Sequence, residues 1–145
     1  MNTKIKHQWI DALLSQSYSQ GRCYLRTHDN KYTVLGVLAD IAVQKNIGSW
    51  SQFSTLDPIL FGPKKHPYRF LIDSDRMTEK DLGHAVFFLP NYILSSTSLS
   101  FSDALYILQQ NDSGLTFEEL ASEIMNDFKQ TKIIHLSSPA SSFVA

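Results

Sequence analysis

The stretch Thr33 to Gln44, TVLGVLADIAVQ, is the longest nearly uncharged apolar run in the chain, with Asp40 its only charge. Wound as a helix, its Val34, Leu35, Val37, Leu38, Ile41 and Ala42 cover most of the circumference. A helix apolar nearly all round belongs in the middle of a fold. Gly36 inside it costs about 1 kcal/mol relative to alanine, which is tolerable where another backbone packs closely. The segment reads as a central buried helix, and the rest of the chain has to cover it.

There is enough chain for that. A domain takes about 100 to 200 residues, so 145 residues make one domain able to bury a sizeable core. A hydrophobic share of 43% and an aromatic share of 12% exclude a wholly disordered chain. The formal charge of -1 gives no global field to collect phosphates or an anionic membrane, which disfavours general nucleic-acid binding. A lone cysteine, Cys23, cannot close an internal disulfide, and this fits a reducing compartment or a fold that does not depend on oxidation. No run approaches the length of a membrane span and the N-terminus has no apolar signal stretch, so the expectation is a cytoplasmic protein with no membrane partner.

Capping chemistry places the other helices. Asn2 or Thr3 opens a first helix to about Ser17, with Ile5, Trp9, Ala12, Leu13 and Gln16 on one face. Cys23 to Thr27 reads as a short strand and His28 to Lys31 as a turn, with Tyr32 and Thr33 returning into the central helix, which ends near Asn46 to Gly48. Prolines interrupt every period from Ser49 to Pro67, an irregular connection carrying Trp50, Phe53 and Phe61. Tyr68 to Ile72 and His84 to Leu89 read as two strands paired antiparallel, and Pro90 opens a short helical turn to Leu94. Ser100 with Asp103 opens a helix through Gln110, with Phe101, Ala104, Leu105 and Leu108 on one face, and Gly114 closes it. Thr116 with Glu119 forms a capping box, flanked by the Leu115/Leu120 staple, for a last helix striped by Phe117, Leu120, Ala121, Ile124 and Phe128. The expectation is one mainly helical α+β domain over 1–136, with a small antiparallel sheet, a C-terminal αα-hairpin, an edge strand at Lys132 to Leu136 and a flexible Ser-rich tail at 137–145.

No assembled chemistry is visible. Cys23 is the sole thiol nucleophile, and His28 and His84 are among five scattered histidines that could serve it, but a half-buried strand cysteine is the plainer reading. Asp73 and Asp75 could pair for acid–base work, against the plainer reading of a solvated turn. The histidines show no metal-ligand spacing, and there is no phosphate-cradling glycine loop, so neither metal nor cofactor is expected. Lys64, Lys65, His66 and Arg69 lie among Phe61, Tyr68 and Phe70, a pattern that binds single strands where charge is plentiful, and would then show steep salt dependence. Aromatic residues in an irregular segment are common interface anchors, so Trp50, Phe53, Phe61, Lys64, Lys65 and Tyr68 are the expected contact set for another protein.

Four blocks in order carry a resemblance: Trp9, Ala12 and Leu13; Gln20, Gly21, Leu25 and Arg26; Leu35, Gly36, Val37, Leu38, Asp40 and Ala42; then Asn111, Asp112, Gly114, Phe117, Leu120 and Ala121. In these the chain resembles a family of small uncharacterised proteins of phages, prophages and their hosts. That family often has cysteines near the third block, where this chain has Thr33, Val34 and Ala39. The resemblance implies an origin on mobile elements and no reaction. Read physically, Arg26 and Asp40 form an expected structural ion pair tying the hairpin to the central helix. Glu118, Glu119 and Glu123, with a tail ending in Phe143 and Val144, resemble the acidic patches and small-residue tails of exported bacterial effectors, which implies export into a host cell. The functional expectation is a non-enzymatic accessory protein that docks on another protein. The alternative is a small hydrolase or transferase using Cys23 or the aspartates with a histidine.

Overall fold

Thr33 caps the central helix by accepting the Gly36 N–H on its hydroxyl, and from that cap the helix α2 runs over Val34–Gln44. In this computed structural model, which describes residues 1–52 and 66–128, α2 is buried from Val34 to Ala39 and again at Ile41 and Ala42. It ends where Asn46 turns left-handed (φ 61°) and the Ile47 N–H reaches back to the Ala42 carbonyl. That closure satisfies a carbonyl the helix would otherwise leave open.

The first helix, α1, spans Thr3–Leu14, starts on the Asn2 side chain and buries Trp9, Ile10 and Leu13. It stops three residues before Ser17: the Ser15 hydroxyl bonds back to the Ala12 carbonyl and Gln16 takes a positive φ of 62°. The Trp9 indole donates to the Val34 carbonyl at 2.9 Å, locking α1 to the first turn of α2.

Two short strand pairs lie beside this core. β1 (Ser19–Gln20) runs parallel to β2 (Lys31–Tyr32), and β3 (Ser49–Gln52) runs antiparallel to β4 (Tyr68–Leu71) with Trp50 opposite Phe70. Arg26 forms single antiparallel bridges to both Tyr32 and Tyr68, so it joins the two pairs. The expected chain reversal over His28 to Lys31 is present: Thr27 donates to the Lys31 carbonyl and Thr33 to that of Leu25. The expected strand from Cys23 to Thr27 is not. Tyr24 bonds to the Arg22 carbonyl across Cys23, whose φ is 72°, a tight turn that takes the chain out of extended geometry.

β4 also has a different partner from the expected one. It pairs with Ser49–Gln52, while His84 to Leu89 forms turns behind the short helix α3 (Glu79–Gly83). Two causes are visible. Thr78 and Asp81 close a reciprocal capping box that starts α3, and the buried residues Ala85, Phe88 and Leu89 follow a spacing of three and four rather than two. The turn segment still serves the sheet side, since Ala85 and Val86 carbonyls accept from Phe70 and Leu25. A 3-10 turn, Ser74–Arg76, precedes α3.

The remaining helices are α4 (Asn91–Thr97), α5 (Phe101–Ser113) and α6 (Phe117–Met125). Pro90 opens α4, Ser100 caps α5, left-handed Gly114 ends it, and Thr116 with Glu119 closes the capping box of α6. α6 buries Phe117, Leu120, Ala121 and Ile124, with Phe128 beyond its end, and packs mainly on α1. The face of α5 is rotated from the expected one: Ala104, Ile107, Leu108 and Asn111 point inward, whereas Phe101 and Leu105 are exposed. The product is a single mainly helical α+β domain with a small sheet and a C-terminal helix pair. The expected edge strand and tail lie outside the described residues. No helix among the described residues is long and apolar enough to cross a membrane.

Candidate functional site

Three polar side chains, Asn111, Gln20 and Asp112, explain why segments far apart in sequence meet. The Asn111 side-chain oxygen accepts from the Val34 N–H at 3.0 Å and from Gln20 Nε2 at 3.1 Å, and its amide nitrogen donates to the Gly21 carbonyl. Gln20 in turn donates to the Leu115 carbonyl and accepts the Phe117 N–H. Asp112 accepts the Cys23 N–H. One buried asparagine thus satisfies the first turn of α2, and one glutamine bridges the turn between α5 and α6. These are groups that would cost about 1 to 3 kcal/mol each if buried unpaired. The four sequence blocks are therefore the pieces of one junction. Gly36 belongs to it as well, because a side chain there would run into the Leu25 carbonyl.

The chain belongs to the family described as Domain of unknown function (DUF8296). Its profile matches residues 1–128. No curated protein and no solved structure matches the chain.

Arg26 and Asp40, expected to pair, do not meet. The Arg26 guanidinium lies 4.0 Å from the centre of the Tyr68 ring, with the Tyr32 and Trp50 rings at 5.5 and 5.6 Å, and it donates to Asn30. Asp40 instead accepts from the Tyr18 hydroxyl at 2.6 Å and the Trp50 indole at 2.9 Å. Both residues are structural, but they are linked through Trp50, because aromatic faces and an indole N–H satisfied each charge without a direct pair. Burial, followed by the Asp40 hydrogen bond and charge, pushes the Tyr18 hydroxyl well above its ordinary pKa. Burial raises Tyr32 too, against the pull of Arg26. Trp50 and Tyr68 are therefore half-buried parts of this assembly, whereas Phe53, Phe61, Lys64 and Lys65 lie outside the described residues.

Cys23 is exposed, not a half-buried strand residue, and lines an open cleft of about 640 Å³ together with His28, Asp29, Lys31, Arg22 and Tyr24. The Thr27 hydroxyl donates to Asp29 and holds that carboxyl below the usual range. Asp73 and Asp75 are exposed at the 3-10 turn and do not contribute to this cleft. His84 is elsewhere again, against Phe87 and Phe88. Among the described residues no group of three metal-ligating side chains converges. The acidic helix face also thins out: Glu119 is used in the capping box, and Glu123 is buried, accepting the Tyr106 hydroxyl.

Around His84 lies the surface that periodicity did not reveal. Phe101 is 60% exposed and Phe87 44% exposed. Ring contacts of 5.3 Å (Phe101 to Phe88), 5.8 Å (Phe88 to His84) and 6.3 Å (His84 to Phe87) connect them. Leu105 stands one turn along α5, and a depression of about 270 Å³ opens between Phe101, Phe88, Leu94 and Lys80. The available signal was Phe101 directly after its Ser100 cap, a position at the mouth of a helix rather than along its buried stripe.

Proposed function

We propose that the protein acts by docking on another protein through the Phe87–Phe101 surface, with no chemistry of its own. The observation that carries this is a pair of exposed phenylalanines, Phe87 and Phe101, joined through the rings of His84 and the buried Phe88; large aromatic side chains left in solvent over such a base are typical of interface anchors. The neighbouring depression would take an apolar side chain of the partner. The test compares partner capture by the wild type, by a Phe87→Ser/Phe101→Ser double variant and by a Leu14→Ser control on the exposed end of α1. The reading requires a defined partner retained by wild type and control and lost by the double variant. Identical capture by all three, or turnover of a substrate with no partner, overturns it. An origin on mobile elements and export into a host rest on the sequence resemblances alone.

The alternative, thiol chemistry, is favoured by one observation: Cys23 and His28 line the same cleft. It predicts that Cys23 reacts with a small electrophile much faster than a free cysteine does, and that His28→Ala abolishes the difference. A thiol of ordinary reactivity removes this reading.

A further inference from the structure

We infer that the cleft beside Cys23 is a binding site for a small phosphorylated ligand with a flat apolar body, a nucleoside monophosphate being the fitting chemical class. It lies apart from the docking patch and is independent of that reading. A volume of about 640 Å³ is in the usual size range of small-molecule sites. The exposed Tyr24 ring and Pro67 line it and offer apolar surface to a base. Arg22 and Lys31 supply the charge, and His28 adds a further nitrogen.

The walls are built rather than incidental. Asp112 fixes the Cys23 N–H at 3.0 Å, and Asn111 fixes the Gly21 carbonyl at 3.0 Å, so the loop carrying Arg22 is held at both ends. A side chain on Gly21 would sit 2.9 Å from Lys31 Cβ, which shows how closely the two sides approach. The Arg22 guanidinium reaches toward Gly114 and also lines a smaller adjoining cleft with Asn111 and Leu115, placing a planar donor fork at the junction of the two spaces. Such a fork matches phosphate geometry. Two carboxylates oppose a phosphate here: Asp112, occupied by the Cys23 N–H and the Asn111 amide behind the wall, and Asp29, whose partners are the Thr27 hydroxyl and Lys31 at 3.8 Å, both sides of that ion pair being about half exposed. An exposed pair of this kind is weak, so Lys31 can exchange it for a phosphate.

The experiment is calorimetric titration of the full chain with adenosine monophosphate, adenosine and inorganic phosphate. Adenosine monophosphate should bind saturably, and adenosine should bind at least about tenfold more weakly, as should phosphate. Arg22→Gln and Lys31→Gln should each weaken the nucleotide about tenfold. Asp29→Asn, which keeps the acceptor for Thr27 and removes the repulsive charge, should tighten it about threefold, a gain that misfolding cannot imitate. Absence of saturable nucleotide binding up to about 10 mM overturns the proposal, as does unchanged affinity in the two cation variants. Equal affinity for adenosine, which leaves the cations without a role, overturns it too, and so does equal affinity for phosphate, which leaves Tyr24 and Pro67 without one.

Discussion

Gly36 and Leu25 touch through backbone alone: a Cβ on Gly36 would fall 1.7 Å from the Leu25 carbonyl oxygen. Neither atom belongs to a flexible side chain, so Gly36→Ala forces the hairpin off the central helix. The expected cost is about 3 kcal/mol or more. Gly83 is the matched control, with nothing within 4 Å of its notional Cβ, and Gly83→Ala should be neutral or stabilise by about 0.5 kcal/mol. Urea denaturation midpoints of the two variants check the pair.

Asn111→Ala should destabilise by about 3 kcal/mol, because it strands the Val34 N–H and the Gly21 carbonyl inside the fold. Asn111→Asp keeps the acceptor for Val34 and loses the donor, so its cost should reflect the Gly21 side plus a buried charge. Amide hydrogen exchange at Val34 separates the two: faster in the alanine variant, protected in the aspartate variant.

The absence of a direct Arg26–Asp40 pair gives a double-mutant prediction. Arg26→Met should cost about 1 to 2 kcal/mol through lost contact with the Tyr68, Trp50 and Tyr32 faces. Its coupling to Asp40→Asn should be small in wild type and vanish on a Trp50→Phe background, which removes the indole bond to Asp40. Thermal or chemical denaturation of the cycle provides the measurement.

Asp81 and Tyr18 each make stability depend on pH. Burial alone would raise Asp81, but the Thr78 and Asn91 N–H groups, the Thr78 hydroxyl and the nearby His84 outweigh it and hold the carboxyl below its ordinary value. A depressed folded pKa contributes stability above the unfolded value, about 3.9 for aspartate, and that contribution disappears as pH falls through the folded value. Asp81→Asn should therefore flatten the acid limb. Tyr18 behaves in the opposite sense, since its raised pKa leaves stability complete below about pH 10 and eroding as pH climbs above it. Tyr18→Phe should soften the alkaline limb in a pH series of melting curves.

The helices were legible because their ends are local chemistry. Thr33, Ser100, Thr116 and Gly114 stand where caps require them, and the apolar stripe from Phe117 to Ile124 could face only one way. One local signal was missed, the Thr78–Asp81 box that opens α3, and the other failures depended on choices among distant partners. His84 to Leu89 carries aromatic and branched residues suited to a strand, yet the Thr78–Asp81 box committed the preceding chain to a helix and its turn. Arg26 and Asp40 looked complementary by charge alone, and nothing local to either residue shows that rings and an indole would reach them first. The cleft was half visible: Cys23 and His28 were both noted, but their shared cavity depends on Asn111 and Asp112, which fold in from the other end of the chain.

The Asn111 cap of Val34 spans 77 positions. During synthesis, the segment that forms the middle of the protein leaves the ribosome long before the side chain that finishes its first turn. Gln20 waits longer still, for the Phe117 N–H. Closure of the interior therefore waits for residues 111 to 117, and contacts of such sequence separation slow folding relative to a chain held by local contacts alone.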